Sequence, residues 1–220
     1  MLGRCRHLRR PSVRHELAAH PISPRDCGFC QPGRASARAK TPVQVELGVM
    51  SRCPDALVCE SVFDQVLKEV GSKMNLSLIY VAKFNSSEPD FGITCMHGVG
   101  DYASAQYSTK WWDFVQCQNS HGRYAAGVPE VTLECAGKVG LDWEASSVGR
   151  CAGLDGKASE GVELLRKSVS LSKSLGIEKS CTVLINRKQV CVHDGGWDIC
   201  DGDAIDFVKR INEEYERLNG

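Results

Sequence analysis

Cysteine carries most of the chemistry open to this chain, with twelve in 220 residues. Cys53, Cys59, Cys95, Cys117, Cys135, Cys151, Cys181, Cys191 and Cys200 lie beyond residue 42, an odd set of nine. In an oxidising compartment an odd set leaves one thiol over, either reactive or paired between chains. Cys53 is the candidate for that role. It stands in Ser51-Arg52-Cys53-Pro54-Asp55, after a strand-like run and at the opening of a helical pattern. Unpaired N–H groups and the positive end of the helix dipole converge at such a position and favour a thiolate nucleophile. The competing reading is a disulfide-forming or merely buried cysteine. Asp55 suits the first turn and moderates the sulfur's reactivity by its charge. His97 is a candidate for tuning a nearby thiol, or a structural histidine of the region around it.

Cys27-Gly28-Phe29-Cys30 has the C-x-x-C spacing of a redox motif. No strand precedes it and Gln31-Pro32-Gly33 follows, so it lacks the helix that activates such a pair. Metal binding fares badly as the reason for the cysteines, because no pair beyond residue 42 has C-x2-4-C spacing. Neither a metal nor another cofactor is expected.

The elements that must hold Cys53 follow from periodicity. Residues 43–49 alternate as a strand does, and Leu57 to Val70 repeat at helical spacing, with Pro54 at the start and Gly71 at the stop. Residues 76–82 read as a second, buried strand parallel to the first. Residues 84–156, rich in Gly, Ser, Cys and Trp, read as a cysteine-stapled insertion with short helices near 129–138 and 142–149. A helix over about 158–175, strands at 182–185 and 189–192 joined by a tight turn at Asn186-Arg187-Lys188, and a helix over about 203–218 complete the chain. That order, β-α-β, insertion, α-β-β-α, is an α/β thioredoxin-like fold with a cysteine-rich helical insertion.

Residues 1–42 carry nine Lys/Arg against two acids, +7, and the remaining 178 residues carry −7. The folded part is acidic, so no nucleic-acid partner is expected of it. The first 42 residues read as a disordered basic segment, with a misassigned start or a targeting segment as alternatives, and lack the apolar run of a secretory signal. No run of 18 apolar residues occurs, so no membrane span is expected. Asn75-Leu76-Ser77 and Asn85-Ser86-Ser87 are glycosylation sequons and, with the cysteines, favour the secretory route.

Several motifs in register, over about residues 43–218, resemble the gamma-interferon-inducible lysosomal thiol reductase (GILT) family, most of all its fungal-type members. They are Ser51-Arg52-Cys53-Pro54-Asp55-Ala56, Cys95-Met96-His97-Gly98, Trp111 to Cys117, Cys151-Ala152-Gly153, Ser180 to Asn186, and Cys191 to Trp197. The resemblance implies a thioredoxin-like fold, passage to a secreted or endolysosomal (vacuolar) destination, and reduction of protein disulfides with small thiols as reductants. Three departures matter. The redox-active members have C-x-x-C, whereas Ala56 holds the fourth position here and the next cysteine is Cys59, which helical geometry turns away from Cys53. The family signature around Cys95 is kept only at Cys95, His97 and Gly98, with Asp101 and Tyr102 where Glu and Cys are usual. Cys181 occupies the place where thioredoxin-like proteins carry a cis-proline facing the nucleophile.

The third departure makes Cys181 a candidate catalytic partner, either resolving thiol or disulfide mate of Cys53; the alternative pairs Cys181 with Cys59 or leaves it buried. Cys191–Cys200 and Cys135–Cys151 are candidate local bridges, and Cys59, Cys95 and Cys117 are further disulfide candidates. Trp111 and Trp112 suit a peptide-binding surface or packing over a disulfide. The expected activity is thiol–disulfide exchange on protein substrates through the Cys53 thiolate. The rival is a secreted, disulfide-stabilised binding protein of the same fold, its redox centre decayed and Cys53 locked in a disulfide.

Overall fold

A computed structural model describes residues 40–97, 110–153 and 155–220. The basic segment's first 39 residues, Cys27–Cys30 and the motif positions Gly98, Asp101 and Tyr102 lie outside them. Strand β1 (Val43–Val49) is followed by helix α1 (Pro54–Val70), a 3-10 turn at Gly71–Lys73 and strand β2 (Met74–Tyr80). Pro54 opens α1, where its missing N–H costs nothing. The strand runs as the alternation predicts, while β2 begins two residues earlier than its apolar run suggested.

Beyond β2 come a short hairpin, β3 (Lys83–Phe84) and β4 (Ile93–Thr94), then helices α2 (Trp111–Ser120), α3 (Pro129–Lys138) and α4 (Ser147–Ala152). Helix α5 (Ser159–Ser174), strands β5 (Thr182–Ile185), β6 (Lys188–His193) and β7 (Trp197–Asp198), and helix α6 (Ala204–Asn219) follow.

The main sheet has the order β2-β1-β5-β6-β7. β1 pairs parallel with β2, from Val43 opposite Met74 to Val49 opposite Tyr80, and antiparallel with β5. The β5–β6 turn is Asn186-Arg187, both at positive φ (48° and 66°), the two-residue turn whose twist matches a hairpin. A parallel β-α-β unit joined to an antiparallel hairpin through a central strand is the thioredoxin-like arrangement expected from the pattern.

The pleat sends alternate residues to opposite faces. Leu78, Tyr80, Val183 and Ile185 face the larger core with α1 and α6, where Phe63 and Phe207 pack with ring centroids 4.8 Å apart and planes tilted by 42°. Ile79, Val81 and Leu184 face the other way, under Ile177 and the end of α5. Helix α1 buries Ala56, Cys59, Glu60, Phe63, Val66 and Val70, the 3–4 spacing of one helical face.

Candidate functional site

Cys53 is the N-cap of α1 with an extended backbone (φ −77°, ψ 132°), and its carbonyl accepts the first helical hydrogen bond from Leu57 N–H at 3.2 Å. A turn from Met50 to Cys53 delivers it, with Arg52 in the left-handed region (φ 62°) and the Cys53 N–H donating to Met50 O. The Arg52 Nε–H donates to Ala126 O at 2.9 Å, which ties the turn to the segment between α2 and α3. Cys53 is a free thiol. It is also 3 % exposed, well covered for a nucleophile.

Asp55 sits beside it. Its Oδ2 lies 3.7 Å from the Cys53 Sγ, and its Oδ1 accepts the Gly195 N–H at 2.8 Å and faces His193 Nδ1 at 2.7 Å. Partial burial pushes the Asp55 carboxyl up, but the Gly195 N–H, His193 and the Cys53 thiol together hold it below the usual carboxylate range. Gly195 reaches Asp55 from a left-handed backbone (φ 72°) that glycine adopts without strain. His193 is paired through its backbone with Cys181, by N–H to carbonyl bonds of 2.8 and 2.9 Å in both directions. The thiol, the carboxylate, the imidazole and the loop of Cys181 thus form one continuous cluster. Nothing in residue type or spacing marked His193 and Gly195 as part of it; the run Cys191 to Trp197 entered only through the family likeness.

The placement of Cys181 differs from the first of the alternatives above. It is joined to Cys59, with a Cα separation of 6.2 Å, and not to Cys53. Cys181 as resolving thiol is therefore corrected: its sulfur is already committed, and both bonded cysteines are fully buried. The physical reason is helical phase, since Cys59 lies on the buried face of α1 that meets β5. The Ser180–Cys181 peptide is cis, and Ser180 Oγ accepts the Met50 N–H at 2.9 Å.

Of the local bridges, Cys191–Cys200 forms (Cα separation 5.4 Å). Cys135 bonds Cys117 (5.6 Å) in place of Cys151, because α2 and α3 lie side by side while Cys151 is buried in α4. The locked Cys53 of the rival reading does not form. Cys95 follows β4 and is half-buried. His97 does not reach the thiol; its Nδ1 faces an Arg123 Nη at 3.3 Å. Trp112 is buried and donates from Nε1 to Asp64 at 3.1 Å, and Trp111 packs edge-on against it, so the pair packs the α1–α2 interface and is not laid out as an open surface.

Cys117, His121 and Cys135 offer three potential metal ligand atoms within 4.8 Å of one another. The two sulfurs are bonded to each other, which removes them as ligands.

A cavity of about 20 Å³ runs behind the thiol, lined by Arg52, Cys53, Glu60, Tyr80, Asn119 and Arg123 among others. Glu60 is buried there, and its Oε2 accepts the Asn119 Nδ2–H at 2.6 Å. Burial pushes its carboxyl up to about 7, against the downward pull of that hydrogen bond. Sequence reasoning passed over Glu60, although an acid on the apolar face of a helix, seven residues after the candidate nucleophile, is a readable signal.

Residues 44–139 match the family model described as gamma interferon inducible lysosomal thiol reductase (GILT). No curated protein matches the chain in sequence. Among solved structures, oxidised BdbD from Bacillus subtilis is similar at 16 % identity, covering 80 % of this chain and 88 % of that one, with a TM-score of 0.53. A thioredoxin-like oxidoreductase from Silicibacter pomeroyi (17 % identity, 80 % and 87 %, TM-score 0.46) and DsbA from Xylella fastidiosa (12 %, 80 % and 86 %, TM-score 0.44) are also similar. The first of these likenesses agrees with the thioredoxin-like fold read from the strand order. The match over residues 44–139 supports membership of the GILT family and, at that level, a thiol–disulfide oxidoreductase.

Proposed function

We propose that this chain reduces disulfides of protein substrates with the Cys53 sulfur as nucleophile. The observation that carries the reading is a free thiol at the N-cap of α1, in contact with an Asp55 held by His193 and Gly195. The thiolate attacks one sulfur of a substrate disulfide and the other leaves as a thiolate. With Cys59 and Cys181 bonded to each other, a small thiol releases the mixed disulfide and is itself oxidised. Cys53 is covered, so reaction proceeds through a local opening around the Met50–Cys53 turn, and the rate carries the free energy of that opening.

Three disulfides among the described residues suit an oxidising compartment. We place the protein in the secreted or endolysosomal space, as the family name also suggests. Asn75 and Asn85 are both exposed and are the proposed glycosylation sites. No helix among the described residues is long and apolar enough to cross a membrane.

The second reading, a disulfide-stabilised binding protein of the same fold, is favoured by one observation: the coverage of Cys53 together with the loss of Cys181 as its partner. Turnover of a disulfide-linked protein with a small thiol as reductant separates the two. Wild type should accelerate it and Cys53→Ser should fall to the uncatalysed rate. Equal rates for the two proteins would establish the binding reading.

A further inference from the structure

Glu60 is a buried acid without a role in the reaction set out above. Seven residues after Cys53 is two turns of helix, which returns the side chain to within roughly 20° of the same direction. Both residues line the cavity of about 20 Å³, a space that suits one or two waters once polar groups are there to hold them. Such groups surround it. Asn119 holds one carboxyl oxygen, and no ion pair to Glu60 forms among the described residues. The charged and titratable groups that face it are few: Cys53 from its own helix, Arg52 from the preceding turn, Tyr80 from β2, and Arg123 from the segment after α2. Arg52 is turned to Ala126 O and Arg123 to His97. Asp55 contacts the thiol but does not line the cavity.

We propose that Glu60 receives the proton of the Cys53 thiol through water in this cavity and returns it to the departing substrate sulfur. The inference rests on Cys53 being the attacking atom. The thiol passes its proton to the Glu60 carboxylate, and the resulting thiolate forms a bond to one substrate sulfur as the substrate S–S bond breaks. The leaving sulfur departs with the electron pair and takes the proton back from the Glu60 carboxyl. Glu60 ends ionised as it began, and the covered site exchanges no net charge with bulk water during attack. Burial sets the carboxyl near neutrality, where a group both accepts and gives up a proton readily.

Alkylation of Cys53 by iodoacetamide, followed by mass spectrometry across the acidic to mildly basic range, tests this without any protein substrate. In wild type the rate should rise in two steps, one of them near pH 7. Glu60→Gln should lose that step, and Glu60→Asp should keep a step that is displaced. Superimposable profiles for wild type and Glu60→Gln overturn the inference and leave the proposed function standing. A Cys53 that reacts at no pH overturns the proposed function and this inference with it. Should Glu60→Gln not fold, infrared spectroscopy of the wild type replaces it: the protonated-carboxyl band that titrates near pH 7 should shift its midpoint when Cys53 is alkylated. An unmoved midpoint is the overturning result.

Discussion

Glu60 is the residue whose burial has the largest readable consequence. Its carboxyl sits near 7 in the folded protein against an ordinary value of 4.5, so between those values the folded chain binds a proton that the unfolded chain has lost. Stability from this group therefore falls as pH rises through that window, and its cost is complete above it. At about 1.4 kcal/mol per pH unit the full cost is at most about 3–4 kcal/mol. Glu60→Gln keeps an acceptor for Asn119 and removes the charge. Urea unfolding should show the variant gaining up to that amount above pH 7 and nothing near pH 4.5. Asp55 has the opposite sign, since its lowered carboxyl adds stability in the neutral range that is lost as pH falls through and below the usual carboxylate range. At this scale the sequence marked Cys53 and Asp55, because a helix start is a local signal. His193 and Arg123 join the site through contacts between distant segments, which residue type alone could not reveal, whereas Glu60 was readable from its place on the apolar face of α1.

The elements divide in the same way. The first strand, α1, α3, β5 and the terminal helix lie where periodicity puts them, within a residue, because each carries its own apolar face and stop. Helix α2 was not expected from the sequence. Its Trp111-Trp112-Asp113-Phe114-Val115 run is bulky and weakly helical, and the helix is held by its surroundings: Trp112 on Asp64, Asn119 on Glu60, and the Cys117–Cys135 bond. Helix α4 starts at Ser147, five residues after the expected 142, because Asp142 caps a turn and Ser146 then accepts the Gly149 N–H to begin the helix. The α1–α6 layer depends on one aromatic pair. Phe63→Ala, fully buried against Phe207, should cost about 3–5 kcal/mol, a fall of roughly 10 °C in Tm by calorimetry.

Across the whole molecule, the Cys59–Cys181 bond spans 122 residues of sequence and fastens α1 to the residue that leads into β5. Loop-closure entropy for a span of that length is worth about 5 kcal/mol at most. The paired variant Cys59→Ala/Cys181→Ala should lose a large part of it, read as a lower urea midpoint. The chain would then keep the first β-α-β unit, whose contacts are local, more readily than the β5–β6 hairpin's seat on β1.

That fastening has a further consequence. Under the proposed function the protein is turned over by small thiols, reagents that cleave sulfur–sulfur bonds, its own included. Both sulfurs of this one are sealed from solvent, so the reagent that regenerates Cys53 meets the staple only when the core itself opens. Working life in a reducing bath is set by how seldom that happens.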